Sequence, residues 1–199
     1  MQNFNQIITI LCCERKKIGT SFKFDPSTLK KLNAEAEKTK VSLNSLVNQI
    51  CKQHVDWHSA AAEAGVGTIF KPMLKHLMEQ LDDTGIRKIA KKIAKEEGRD
   101  FIMLLSHEYN IHTALKLIET WLGVIKYPYS YEVNGDEHKF YIYHDMGKKY
   151  SIYLSSLYEN VLEEFKMVKA KFQTSENSIS FTVTIEPNSP LIVNNNNSN

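Results

Sequence analysis

One cysteine and two histidines are spaced so that they would share one face of a helix. Cys51, His54 and His58 fall at positions i, i+3 and i+7, and cysteine and histidine are ligands for zinc, nickel and copper. The alternative is that Cys51 packs in the core of a dimer and leaves both histidines exposed. We favour this alternative, so we expect neither a metal site nor another cofactor.

Other polar residues suit structural roles better than catalytic ones. His107 and His112 are five residues apart, a spacing that does not suit one helical face, and a helix break is expected near Asn110. Asp145 is expected to cap the helix that follows it. The sequence contains no Walker loop, dinucleotide-binding motif, nucleophile elbow or zinc-protease motif. We therefore predict that the chain is not an enzyme.

The composition is that of an ordinary globular protein, with 42% hydrophobic and 24% charged residues among 199. Residues 1–60 carry nine basic and five acidic side chains, a net charge of +4, whereas the remainder carries −2. A basic end joined to a weakly acidic body is typical of nucleic-acid contact at that end. Three cysteines without a spaced framework argue against disulfides, and no apolar run approaches the roughly 18 residues of a membrane span. A cytoplasmic location without membrane contact is expected.

The N-terminal part has the pattern of one strand and two helices. Residues 19–24 alternate as a strand does, but so short a strand needs a partner. Asp25 and Pro26 suit the N-cap and first position of a helix over residues 26–38. After a tight connection at 39–41, Ser42 suits the N-cap of a second helix. That helix has a stripe of apolar residues at helical spacing and runs to about His58.

The rest of the chain has the pattern of an α+β domain. Helices are predicted near residues 69–81, 83–97, 99–107, 110–125 and 147–165. Strands over 127–133 and 138–144 flank a hairpin sequence at 134–137, and a second pair covers 168–172 and 179–185. Tyrosines are frequent between residues 127 and 158, which suits either a half-buried sheet or a ligand pocket. The predicted domains are a flexible arm (1–18), a strand–helix–helix domain (19–60), an α+β domain (66–186) and a disordered tail (187–199).

The sequence TSFKFDPSTLKKL at 20–32, followed by VSLNSLV at 41–47, resembles the ribbon-helix-helix superfamily of the Arc, MetJ and CopG type. The resemblance implies a homodimer in which the strands of two protomers pair antiparallel and enter the major groove of DNA. A segment this short also needs a second copy to bury a core. The predicted dimer core consists of Phe22, Phe24, Leu29, Leu32, Leu43, Leu46, Val47 and Ile50. In layout, the whole chain is similar to archaeal regulators with an appended α+β domain.

The resemblance also assigns DNA contacts. With Phe22 and Phe24 turned inward, Ser21 and Lys23 face outward and are the expected base-reading residues. Gly19 stands where many family members have a larger polar residue. The family binds a DNA phosphate at the start of its second helix, where unpaired amides and the helix dipole attract anions. The expected phosphate contacts are Lys40, Ser42, Leu43 and Asn44, with Lys16 and Lys17 on the arm.

These features together predict a homodimeric, sequence-specific transcription regulator that binds double-stranded DNA and that could assemble further into tetramers. The α+β domain would then supply an oligomer interface, a sensor for a small-molecule effector or a protein contact. One alternative is a dimeriser that binds a protein partner, as an antitoxin does, although residues 66–186 look able to fold by themselves. Another alternative is a metal or small-molecule sensor that acts through its C-terminal domain.

Overall fold

A computed structural model describes residues 18–166 and 168–186. It has a mixed α+β fold, as predicted, and its contacts divide the chain into an N-terminal unit (1–48) and a C-terminal unit (49–199). The division falls between Asn48 and Gln49, inside a continuous helix. No helix among the described residues is long and apolar enough to cross a membrane. The predicted tail over 187–199 and most of the predicted arm lie outside the described residues.

The N-terminal unit contains helix α1 (Pro26–Thr39) and the start of helix α2 (Leu43–Gln53). The carboxylate of Asp25 caps α1 by accepting hydrogen bonds from the amide of Thr28 at 2.8 Å and the hydroxyl of Ser27 at 2.7 Å. These hydrogen bonds lower the pKa of Asp25 to about 2. Pro26 occupies the first turn, where its missing amide costs nothing. Both helices confirm the sequence prediction to within one residue at their N-terminal ends.

Residues 19–24 form no regular secondary structure in the single chain. A strand is defined by hydrogen bonds to a neighbouring strand, and these residues have no such neighbour among the described residues of their own chain. They are neither helical nor part of the C-terminal sheet. The pairing of this segment with a second copy therefore stays a prediction.

The helical stretch that begins with α2 continues past residue 58 and ends before the glycines at 65 and 67, as the sequence predicts. Helix α2 passes into a π-helical turn (His54–His58) and then into helix α3 (Ser59–Glu63). Gly65, with a φ of +73°, follows the end of α3. Four further helices follow at the expected places: α4 (Lys71–Glu79), α5 (Asp83–Glu96), α6 (Gly98–Ser106) and α7 (Ile111–Ile125).

The remaining elements form an antiparallel sheet with one inserted helix. Strands β1 (Tyr129–Asn134) and β2 (Glu137–Tyr143) precede helix α8 (Lys148–Leu162), and strands β3 (Val168–Thr174) and β4 (Ser178–Ile185) follow it. The sheet order is β1-β2-β4-β3. Asn134 pairs with Glu137, so the first hairpin turns on Gly135, whose φ of +60° favours glycine. Both predicted strand pairs are confirmed.

The core of the C-terminal unit lies between the sheet and helices α7 and α8. Alternate residues of β2 are buried, so Phe140 and Ile142 face the helices while Tyr141 faces solvent. The rings of Phe140 and Phe181, on neighbouring strands, stack with centroids 4.8 Å apart. Helix α8 contacts α5 and α4 as well as β3 and β4. The unit therefore has a continuous core of its own.

Candidate nucleic-acid interface

The residues expected to read DNA are exposed in the single chain. Ser21 and Lys23 are open to solvent. Between and beside them, Phe22 is 64% exposed and Phe24 is 40% exposed. The two phenylalanine rings lie with centroids 6.5 Å apart and planes tilted by 44°. Two large apolar side chains thus lie side by side at the surface of a short basic segment.

The residues expected to form the dimer core are mostly incompletely buried within one chain. Leu46 is buried, and Leu32, Leu43 and Val47 are half-buried. Leu29 and Ile50 are exposed to about the same degree as Phe24. Across α1 and α2, Ala36 and Leu46 are the buried residues. These helices therefore present an apolar surface that their own chain does not cover.

The connection between α1 and α2 is where the sequence predicts a phosphate contact. Lys40 adopts a left-handed conformation, with φ 55° and ψ 38°, and its amide donates to the last carbonyls of α1. Such a conformation favours glycine. Lysine here puts a positive charge directly before the N-terminus of α2.

The first turn of α2 leaves two backbone donors free for a ligand. The Ser42 hydroxyl accepts from the amide of Ser45 at 3.1 Å, and the Ser42 carbonyl accepts from Leu46 at 2.9 Å. No acceptor for the amides of Leu43 and Asn44 is found within residues 18–166 and 168–186. These amides and the positive end of the helix dipole suit a phosphate oxygen.

The positive charges of Lys23 and Lys40 are not neutralised by acidic side chains of the described residues. In the part of the chain that the structure describes, neither Lys23 nor Lys40 forms an ion pair. Both side chains are exposed. Lys16 and Lys17, the other two lysines expected to bind phosphate, lie outside the described residues.

The cysteine and histidines with metal-ligand spacing do not form a site. Cys51, His54 and His58 are all exposed. The π-helical turn over 54–58 changes the angular spacing of the side chains, so an i, i+3, i+7 pattern no longer describes one α-helical face. Within the described ranges there is no group of three or more histidine, cysteine or acidic side chains arranged to hold a metal ion.

The expected role of Asp145 as a helix cap is wrong. Helix α8 has Gly147 at its N-cap, without a side-chain capping bond. Asp145 instead adopts a left-handed conformation and lies 3.4 Å from the ammonium of Lys71. A cap role is found at Asn110, whose side chain accepts from the amide of Thr113 at 2.9 Å at the start of α7.

Sequence reasoning missed a buried polar network beside Asp145. His144 is almost fully buried; its Nδ1 accepts from the amide of Met146 at 3.1 Å, and its Nε2 lies 2.8 Å from the hydroxyl of Ser151. Burial lowers the pKa of His144 to about 4, so the imidazole is neutral at pH 7. The sequence does contain a signal for this burial: His144 follows the end of β2 and continues the alternation of Phe140 and Ile142, which are buried.

The C-terminal unit contains an apolar cavity of about 350 Å³. Residues of helices α5, α6, α7 and α8 line it, and they include Tyr153 and Tyr158 from the tyrosine-rich stretch but none of the tyrosines on the strands. Its lining comes from four separate stretches of chain, within residues 64–66, 93–102, 114–121 and 153–161. Such distant contributions cannot be paired from one sequence.

Comparison with known proteins adds no relative. No protein-family model matches the chain, and no curated protein is similar to it in sequence.

Proposed function

We propose that the chain is a homodimeric, sequence-specific DNA-binding regulator of transcription that acts in the cytoplasm. Two copies of the segment 19–24 pair antiparallel and enter the major groove, with Ser21 and Lys23 directed at base edges. The start of α2 holds a backbone phosphate on each side and fixes the register of the protein on the duplex.

The observation that carries this proposal is the exposure of Phe22 and Phe24 next to Lys23. Burying a phenylalanine side chain stabilises a protein by about 1.5–3 kcal/mol relative to leaving it in water. Two adjacent exposed phenylalanines therefore favour an association that covers them. In a two-stranded ribbon, residues two apart share a face, so covering both phenylalanines leaves Ser21 and Lys23 on the open face.

The anion site supports the same arrangement. Lys40 comes three residues before Leu43, so its side chain and the free amides of Leu43 and Asn44 would contact the same phosphate, and phosphate contacts of this kind position a protein without reading sequence. Because a cation bound to phosphate releases counterions, each such contact makes DNA binding weaken as salt increases.

The proposal is tested with the full-length protein and a duplex selected from genomic fragments by the protein itself. We expect Lys23→Ala to weaken binding to that duplex by about 1–3 kcal/mol, measured by fluorescence anisotropy at fixed salt. Lys171→Ala is the matched control, since Lys171 is an exposed lysine on β3 far along the sequence from the proposed ribbon. Equal affinities of the wild type and Lys23→Ala would contradict the proposed base contact.

The cavity in the C-terminal unit favours small-molecule sensing as a second function, because an apolar pocket with few polar groups is typical of ligand sites. The antitoxin-like alternative calls for a tail that folds only on its partner, whereas helices α7 and α8 pack on the sheet in a core of their own. We therefore place an effector-responsive regulator ahead of a partner-binding module.

A further inference from the structure

Two histidines from different elements of the C-terminal unit meet where helix α7 crosses strand β2. His112 lies in the first turn of α7, and His138 lies on the face of β2 that is turned towards the helices. The centroids of their imidazole rings are 6.2 Å apart. The fold brings these rings together, and no local spacing in the sequence marks the pair.

The distance between the two rings suits a shared metal ion. Zn–N bonds are about 2.0–2.1 Å long, so two imidazoles on one zinc ion have ring centroids about 5–6 Å apart. The separation of 6.2 Å is only slightly longer. His112 is exposed, so a change in its side-chain torsion angles closes the difference at little cost.

One nitrogen of His138 reaches the surface, although the side chain as a whole is nearly buried. His138 is 8% exposed, and its Nε2 has no hydrogen-bond partner within residues 18–166 and 168–186. In the same part of the chain, the Tyr158 hydroxyl is the one fully buried side-chain polar atom that lacks a partner. Nε2 of His138 is therefore not fully buried, and an ion from solvent can reach it.

The other nitrogen of His138 is held by a tyrosine. Nδ1 lies 2.7 Å from the hydroxyl of Tyr131, and the two rings stack with centroids 5.9 Å apart. Burial raises the pKa of Tyr131, so its hydroxyl stays neutral. When Nδ1 donates its proton to the Tyr131 oxygen, the lone pair of the imidazole lies on Nε2. Histidines that bind metals commonly fix their second nitrogen in this way.

The charges around the pair suit a cation. Burial and the nearby His112 lower the pKa of His138, so its imidazole is neutral at pH 7, as a metal ligand must be. The carboxylate of Asp136 raises that pKa, and it attracts a metal ion for the same reason. Lys116 lies one turn after His112 on α7, but its ammonium pairs with Glu119 at 2.7 Å.

We propose that His112 and His138 bind one divalent transition-metal ion of the zinc class, with Tyr131 orienting His138 and with water at the remaining coordination positions. Imidazole nitrogens suit zinc, copper and nickel. A site with two protein ligands agrees with the absence of any three-ligand group among the described residues. Structural zinc sites have four protein ligands, so this site suits reversible binding. It goes beyond DNA binding and stands without it, since both histidines belong to the C-terminal unit.

Zinc titration of the full-length protein tests the pair directly. Long-range proton–nitrogen correlation NMR resolves the imidazole nitrogens of each histidine separately. We expect the signals of His112 and His138 to shift together with one dissociation constant, and those of His54 and His58 to stay unshifted at that zinc concentration. Because the ion binds the folded protein, zinc should also raise the melting temperature.

Variants assign the binding to these side chains. His112→Gln removes one ligand at an exposed position, and we expect the affinity for zinc to fall at least about tenfold, because the second ligand on one ion acts as an intramolecular contact. Tyr131→Phe should lower it about tenfold, as loss of a partner that orients a ligand does. His54→Gln is the matched control, since His54 is an exposed histidine of the π-helical turn, and it should keep the wild-type affinity.

The proposal is wrong if zinc shifts the nitrogens of neither histidine, or of only one of them. It is also wrong if His112→Gln or Tyr131→Phe binds zinc as tightly as the wild type does. An equal rise in melting temperature of the wild type and of His112→Gln on addition of zinc would contradict it too, because the stabilisation would then come from another site.

Discussion

The two units of the chain differ in where their large apolar side chains lie. In the N-terminal unit, Phe22 and Phe24 are exposed, and Leu46 is the one large side chain of its helices that is buried. In the C-terminal unit, Phe140 and Phe181 are buried completely between a sheet and two helices. The second unit has a core of its own, although it also exposes large apolar side chains such as Val55 and Phe70, and its helix α4 has no buried residue. The difference is that the C-terminal unit has a continuous core of its own, whereas the proposed dimer would supply one to the N-terminal unit.

The largest expected effect is a loss of stability of the C-terminal unit at low pH. The buried network fixes His144 in its neutral form, with Nδ1 as an acceptor, and its pKa falls from 6.5 to about 4. Between these pH values the unfolded chain binds the proton and the folded chain does not, so the free energy of unfolding falls as the pH falls. We expect a loss of about 3 kcal/mol from pH 7 to pH 4, levelling off below.

Urea unfolding of the full-length protein at several pH values, followed by tyrosine fluorescence, measures this loss. His144→Gln should flatten the profile over this range, whereas His54→Asn, at an exposed histidine of the π-helical turn, should leave it unchanged. A profile of His144→Gln as steep as that of the wild type would assign the pH dependence to other groups.

The next effect concerns association through the N-terminal unit. Phe22→Ser removes the most exposed ring of the expected dimer core, and we expect dimerisation to weaken by about 1–2 kcal/mol for each protomer. Sedimentation equilibrium measures the dissociation constant. Val133→Ser is the control, because Val133 is an exposed apolar residue on β1. A dimer of Phe22→Ser as tight as that of the wild type would place the interface elsewhere.

The smallest effects are expected at Lys40, where one substitution changes both the backbone conformation and the charge. Lys40→Gly relieves a left-handed conformation and should stabilise the connection between α1 and α2 by about 1 kcal/mol. It also removes a phosphate contact, so the slope of log affinity for DNA against log salt should decrease by about one. Thermal unfolding and salt titrations measure the two changes. A more stable variant with an unchanged salt slope would remove Lys40 from the phosphate site.

Local sequence patterns predicted most of the elements because their causes are local. Asp25 and Pro26 start α1 through a side-chain cap and a fixed φ, and Gly135 closes the first hairpin through its positive φ. In the single chain Ser21 and Lys23 are exposed, but so are Phe22 and Phe24, and the predicted inward and outward faces stay a prediction. The predicted dimer contacts lie between two protomers, so a single chain does not test them.

Features that depend on distant residues were not predictable in this way. The cavity joins Phe101, Trp121 and Tyr158 from three helices, and no spacing in the sequence relates them. Asp145 was expected to cap the helix that follows it, but its side chain instead pairs with Lys71 on helix α4. The prediction that Cys51, His54 and His58 share one helical face assumed regular α-helical spacing, and the π-helical turn at 54–58 changes that spacing.

The most direct test of the central claim is isotope-filtered NMR on a mixture of labelled and unlabelled full-length protein. Paired strands in an antiparallel ribbon bring backbone protons of residues 20–24 in one copy against those of the other copy. The account predicts cross-strand Overhauser effects between the two copies in this segment. If residues 20–24 instead show contacts only within their own chain, or adopt a helix, the paired ribbon does not exist and the DNA-binding proposal fails with it.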